Sequence, residues 1–340
     1  MIARIVLGLG VLGLAAALVG GYFITQSLRP VQTEGKDTAQ LFRIEPGQGF
    51  GQVARRLESE GLIQDSRTLS LLARYRGDTG KLKVGEYEIS ANWSGQTILD
   101  RLVSGRVKTY EVVVPEGMRA TEIAVRLEEA GLADRELFLE AVYNEAFVRS
   151  LGLDASSLEG YLYPETYRMP RHLSAQEVAG IFVAQFKRVW ADLAKIAAQQ
   201  SLSRVEIVTL ASIIEKETAA PEERPLIASV FHNRLKKRMR LETDPTVIYG
   251  IKDFDGNITR KHLRDDTNVY NTYRISGLPP GPIASPGIEA LRAAIQPAQS
   301  DFLYFVSRNN GTHKFSKTYR EHSQAVSEFQ LRRRSRNTKR

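Results

Sequence analysis

The sequence predicts an α+β fold with an N-terminal transmembrane helix, on three observations. Residues 5–28 form an apolar run without a charge. A strand, a glycine turn and a short helix recur at an offset of 70 residues. Beyond residue 135, long amphipathic helical stretches mix with short apolar strands.

The apolar run extends from Ile5 to Leu28, bounded by Arg4 and Arg29. As a helix its 24 residues would measure about 36 Å, enough to cross a hydrocarbon core of about 30 Å. A cleaved signal peptide would have a shorter apolar region and a small-x-small cleavage site. This run stays apolar through Tyr22, Phe23 and Ile24, which favours a retained anchor. Residues 1–29 are therefore expected to be a cytoplasmic stub and anchor, and 30–40 a linker. Only four residues precede the span, so the remainder is expected across the membrane.

The repeat comes next. Ile44-Glu45-Pro46-Gly47 resembles Val114-Pro115-Glu116-Gly117, and Val53, Ala54, Arg56, Leu57 and Glu58 match Ile123, Ala124, Arg126, Leu127 and Glu128. Each copy reads as a strand, a turn and an amphipathic helix closed by Gly61 or Gly131. Between the copies, Val84–Ile89 alternates like a strand and Ser94–Val103 reads as a helix. The boundary is expected at 110: a small strand–helix subdomain over 41–110, then a mixed α+β domain over 111–330 that opens with the second copy.

In that domain Ser174 to about Gln199 is a long helical stretch. Ser285 and Pro286 offer an N-cap and a first-turn proline for a helix that Pro297 stops. Phe302–Val306 reads as an apolar strand, with residues 311–330 following it.

A composition of 42% hydrophobic and 25% charged residues excludes a disordered chain and a polytopic membrane protein. The net charge of +8 is largely that of residues 331–340, a basic tail with six Arg and Lys and no acid. The folded body is nearly neutral, which argues against nucleic acid as a partner. The absence of cysteine excludes disulfides, zinc ribbons and thiol catalysis. No histidine pair has metal-ligand spacing, so no metal or other cofactor is expected.

The chemistry is expected on one helix. Ser203-Arg204-Val205-Glu206 is a capping box, and the helix it opens runs through Ile207, Val208, Leu210, Ala211, Ile213 and Ile214 to Glu215. Glu215 shares a stripe with Val208 and Ala211, and a carboxyl in apolar surroundings has the raised pKa that a general acid needs. Glu217 is roughly 200° further round the helix and is not expected in the same cleft.

Leu210–Thr218 resembles the signature of the endolytic murein transglycosylases, the YceG-like or MltG family. Val230–Leu235, Leu241–Gly250, Tyr270–Tyr273, Gly277–Ile283, Ser285–Gly287 and, upstream, Leu158–Tyr167 continue the resemblance. It implies a single-span protein of the inner membrane with a LysM-like subdomain and, over 111–330, a periplasmic lytic transglycosylase domain. Such an enzyme cleaves the β-1,4 bond between N-acetylmuramic acid (MurNAc) and N-acetylglucosamine (GlcNAc) within nascent peptidoglycan strands. It leaves 1,6-anhydro-MurNAc ends and so terminates strand elongation. Its partners would be the glycan, the membrane and penicillin-binding synthases. By position Glu215 is the acid/base. Asp244, Thr246, Tyr249, Asn271, Tyr273, Pro280 and Gly281 are the candidate substrate contacts. Two readings compete with this one: a muramidase that uses water, with Asp244 or Glu242 as second carboxylate, and a non-catalytic wall-binding scaffold.

Overall fold

The computed structural model describes Leu14 and residues 18–23, 25–32, 38–217 and 220–331. Much of the expected anchor and all of Arg332–Arg340 lie outside these residues. Among the described residues no helix is long and apolar enough to cross a membrane. The chain divides into two units: residues 1–110 with 168–172, and residues 111–167 with 173–340.

The first unit runs β1 (Gln40–Ile44), α1 (Phe50–Ser59), α2 (Ser66–Tyr75), β2 (Gly85–Ile89) and α3 (Gly95–Ser104). β1 and β2 pair antiparallel, with Phe42 opposite Tyr87 and Gln40 opposite Ile89. The period of two turns Phe42, Ile44, Tyr87 and Ile89 to one face. Against that face pack Val53, Ala54 and Leu57 of α1, Leu69 and Ala73 of α2, and Ile98, Leu99 and Leu102 of α3. Ser94 caps α3 by accepting the Thr97 N–H at 3.1 Å.

The repeat has one local structure in both places. β1 leads to α1 as β3 (Tyr110–Val113) leads to α4 (Ala120–Glu129). Both helices end with a glycine at positive φ, 70° at Gly61 and 65° at Gly131. Leu62 then donates back to Leu57, and Leu132 to Leu127, each at 2.8 Å.

The chain continues with α5 (Arg135–Tyr143), α6 (Glu145–Ser150), β4 (Thr166–Met169, its last two residues counted with the first unit), α7 (Ala175–Ala197), α8 (Arg204–Glu217), α9 (Arg224–Lys236), α10 (Asp244–Tyr249), α11 (Arg260–Arg264) and α12 (Ile288–Ile295). β5 (Tyr304–Ser307), β6 (His313–Ser316) and α13 (Tyr319–Val326) complete it. β3 lies beside β4, and β5 pairs antiparallel with β6. α7 packs on α5, with Phe182 in edge contact with Phe138 at 6.3 Å between centroids.

α8 is the centre. Ile207, Val208, Leu210, Ala211, Ile213 and Ile214 are all buried, so the helix is apolar all round rather than along one stripe. α9, α10 and α12 pack against it. Its two buried hydroxyls are satisfied locally: Thr209 donates to Val205 C=O and Ser212 to Thr209 C=O, each at 2.7 Å. Ser212 Oγ also accepts the Ile283 N–H at 3.0 Å, which ties the Gly277–Gly287 loop to α8.

α12 starts at Ile288 with Gly287 as N-cap, later than the Ser285 cap read from the sequence. The reason is that the Ser285 backbone is already used. It donates to Met118 C=O and accepts from Gly117 N–H, each at 2.8 Å. That extended pairing holds the loop against the segment before α4.

Gly160 is the tightest point behind this loop. Its φ is +81°, and an added Cβ would overlap the Pro282 ring and stand 3.1 Å from Val208 Cγ1. Gly160→Ala should therefore destabilise the second unit by about 1–3 kcal/mol, read as a lower urea midpoint with unchanged m-value.

Candidate active site

Two glutamates leave the end of α8, and the structure treats them differently. Glu215 has a side chain 5% exposed, with both oxygens occupied. Oε1 accepts from Arg224 Nη2 at 2.8 Å and Oε2 accepts from the Gly287 N–H at 2.9 Å. Arg224 Nη2 also stands 3.6 Å from Glu116 Oε2. Burial, and then the neighbouring Glu215 charge, raise the Glu116 pKa. Glu116 packs over Gly287, where a Cβ would collide with its carboxyl. Lys216 Nζ donates to Gly117 C=O at 3.1 Å. This cluster fastens the end of α8 to the start of α9, to the start of α12 and to the turn before α4.

Glu217 instead borders a cavity of about 320 Å³. Its Oε1 accepts from Thr243 Oγ1. Desolvation pushes the pKa of Glu217 up to about 7, with Asp244 adding to the rise and the Thr243 bond opposing it. Asp244 and Glu242 line the same cavity, with Arg234, Tyr273, Tyr304 and His322 among the other walls. Tyr273 OH donates to Asp244 Oδ1 at 2.8 Å. Arg234 Nη1 donates to Leu241 C=O at 2.8 Å and lies 3.3 Å from Glu242 Oε2.

A layer of threonines holds the Glu217 partner. Thr243 N–H donates to Thr272 Oγ1 at 3.0 Å, and Thr246 Oγ1 is 2.8 Å from Thr272 Oγ1. All three threonines are buried. Thr243 and Thr272 were not among the residues singled out from the sequence. The signal available was their position beside Asp244 and Tyr273 inside the motifs.

The sequence candidates separate accordingly. Asp244 and Tyr273 stand at the cavity with Glu217, and Glu215 does not. Thr246 is fully buried and belongs to the threonine layer. Asn271 is also fully buried, and its amide donates to Asp265 C=O at 2.7 Å and His262 C=O at 3.1 Å, closing the loop before it. Tyr249 OH donates to Glu159 Oε2 at 3.2 Å. Gly281 is buried beside the Tyr270 hydroxyl, and Pro280 is exposed away from the cavity walls.

Glu159 is a second buried carboxyl, accepting the Ala120 N–H at 3.0 Å at the start of α4. Burial pushes its pKa up to about 7. It is not among the cavity walls and holds Tyr249 at the end of α10.

A carboxyl that burial holds near neutrality thus stands beside tyrosines, an arginine and two further acids in an open cavity of an α+β domain, an arrangement able to take up and release a proton. The chain belongs to the YceG-like family, which it matches over residues 42–328. It is 30% identical to a Bacillus subtilis (strain 168) protein named endolytic murein transglycosylase, over 92% of this chain and 91% of that one. It is 29% identical to a Streptococcus pneumoniae (strain D39) protein of the same name, over 93% of this chain and 63% of that longer one. The crystal structure of a putative YceG-like protein from Listeria monocytogenes superposes with a TM-score of 0.59 at 32% identity, covering 85% of this chain and 100% of that one.

The Glu217 environment has a consequence for stability. The folded-state pKa of about 7 lies above the ordinary 4.5, so the native protein holds a proton that the unfolded chain has already lost. Stability is then full below the unfolded value and falls as pH rises toward 7, by at most about 1.4 kcal/mol per pH unit for such a group. Glu217→Gln should reduce but not abolish this fall between pH 5 and 7, measured by urea midpoints at each pH, because buried Glu159, also raised to about 7, loses stability in the same window. An identical pH profile in the variant would remove Glu217 as its source.

Proposed function

We propose that the chain is an endolytic murein transglycosylase that uses Glu217, not Glu215, as its acid/base. It is an enzyme of the lytic transglycosylase class. Its substrate is peptidoglycan, cut at MurNAc-β-1,4-GlcNAc bonds within strands. The observation that carries the assignment is the different use of two carboxyls on one helix end. Glu215 is committed to Arg224 and the Gly287 N–H, whereas Glu217 reaches the cavity with a pKa near neutrality.

The chemistry follows from that pKa. Protonated Glu217 gives its proton to the glycosidic oxygen as the MurNAc C1–O bond breaks, and GlcNAc leaves with a free 4-hydroxyl. The MurNAc 6-oxygen then bonds to C1, and its proton passes to the Glu217 carboxylate. No water is consumed and Glu217 ends as it began. An attacking group already in the substrate gains the proximity advantage. Thr243 holds the Glu217 carboxyl, and the Asp244–Tyr273 pair offers polar contacts to the sugar. Such cuts would leave 1,6-anhydro-MurNAc ends and terminate strand elongation, in cooperation with penicillin-binding synthases.

The same reading includes a membrane anchor at residues 5–28 with the remainder in the periplasm, supported by the uncharged apolar run. The strand–helix–helix–strand order of the first unit supports a LysM-like, glycan-holding role.

A hydrolase remains the second reading, because Asp244 and Glu242 line the cavity with Glu217 and a water-using glycosidase needs two carboxylates. Mass spectrometry of digested sacculi separates the two. Anhydro-terminated internal fragments are expected, and reducing MurNAc ends as the main product would make the enzyme a hydrolase. Glu217→Gln should lower the rate about 10²–10⁴-fold while remaining folded. Glu215→Gln should instead cost about 1–3 kcal/mol of stability, because it leaves buried Arg224 with an amide acceptor and only the Glu116 carboxylate 3.6 Å away. A folded Glu217→Gln variant that cuts at the parent rate would overturn the assignment.

A further inference from the structure

We propose that the α1–α2 face of the first unit is a docking surface for the anionic headgroups of a phospholipid bilayer. The inference rests on the membrane-anchor reading above. Arg55, Ser66, Arg67, Ser70, Leu71 and Arg74 line a surface cavity of about 440 Å³. Residues 66, 70 and 74, and 67 and 71, follow helical spacing, so one face of α2 supplies most of it.

The three arginines differ from their neighbours. Arg43 pairs with Glu45, Arg56 with Glu60, and Arg76 with Asp78 and Asp100. Arg55, Arg67 and Arg74 are exposed; among the described residues none forms a close salt bridge, and Arg67 has an acid beside it, Asp65, whose pKa the Thr68 hydroxyl and, to a lesser degree, Arg67 lower. The two acids nearest the cavity are already used. Glu58 accepts from Ser66 Oγ at 2.6 Å, and Asp65 caps α2 by accepting the Thr68 N–H at 2.8 Å. Beside the arginines, Leu71 is 53% and Tyr75 90% exposed. Guanidinium groups with hydroxyls suit phosphate oxygens, and an exposed Leu and Tyr suit the boundary where headgroups meet acyl chains.

Position selects the lipid over other anions. Leu28, the last residue of the apolar run, packs on the core of this unit, and its carbonyl accepts the Gly95 N–H at 2.9 Å. Pro30 C=O accepts from Gln64 Nε2 at 3.0 Å, two residues before α2 begins. The chain thus leaves its apolar run beside the N-terminal end of α2, with exposed Arg29 at the junction. A bilayer holding the run ahead of Leu28 would lie close to the N-terminal end of α2, on the unit that carries this face.

The test uses the full chain in nanodiscs of phosphatidylcholine alone and of phosphatidylcholine with phosphatidylglycerol, read by amide hydrogen exchange. Exchange within Ser66–Tyr75 should slow in the anionic discs, by about fivefold per arginine and roughly 100-fold for three. The slowing should shrink at high salt. It should vanish in the variant Arg55→Gln, Arg67→Gln, Arg74→Gln, while exchange in β1 and β2 stays unchanged and shows the unit folded. Equal exchange in the two lipids overturns the proposal, as does slowing that appears only when an acidic wall polymer is added. If the chain fails to enter nanodiscs, the anchor reading fails, and vesicle flotation decides the docking separately. Flotation with anionic vesicles only, lost in the triple variant, supports it; no flotation overturns it.

Discussion

Arg224 and Glu215 form the buried ion pair on which the site depends. α8 is buried on every side from Ile207 to Ile214, and its last residues must leave the core carrying three charges in a row, Glu215, Lys216 and Glu217. Each is given a different task. Glu215 takes the guanidinium that opens α9 and the backbone N–H before α12, while Lys216 takes Gly117 C=O. With those two fastened, the helix end cannot rotate, and Glu217 is delivered to the cavity wall. Removing one partner from a buried pair costs far more than the pair's net contribution, so this arrangement specifies geometry more than it adds stability.

The loops around the site are set by the same logic of satisfied buried polar groups. Ser212 and Ser285 fasten the Gly277–Gly287 loop to α8 and to the turn at Gly117. Asn271 closes the loop before it with carbonyl contacts, and Thr272 reaches both Thr243 and Thr246. Glu159 anchors Tyr249 at the far end of α10, whose first residue is Asp244. Several motif residues therefore act at one remove: they hold the backbone that presents Glu217, Asp244 and Tyr273.

Much of the fold was legible from local rules. The capping box at Ser203 is formed, with Ser203 N–H donating to Glu206 Oε2 at 2.7 Å, and the two copies of the repeat share their turns and glycine closures. Which of Glu215 and Glu217 borders the cavity was not legible. A helical stripe distinguishes faces only when one face is wet, and α8 is buried on all of them, so the stripe shared by Val208, Ala211 and Glu215 carried no information about the cleft. The deciding contacts, Arg224 to Glu215 and Thr243 to Glu217, come from elements whose packing no periodicity reveals. Asn271 shows a related limit: a buried amide that satisfies loop carbonyls has the same sequence appearance as one that binds a sugar.

The proposed mechanism puts the reacting bond at Glu217. A crystal structure of the Glu217→Gln variant with a bound peptidoglycan oligosaccharide tests it most directly. A glycosidic oxygen within about 3.2 Å of the residue 217 amide, with the Glu215–Arg224 pair intact beyond reach of the sugar, is the predicted result. A glycan seated with its scissile bond against Glu215, and Arg224 displaced, would contradict it.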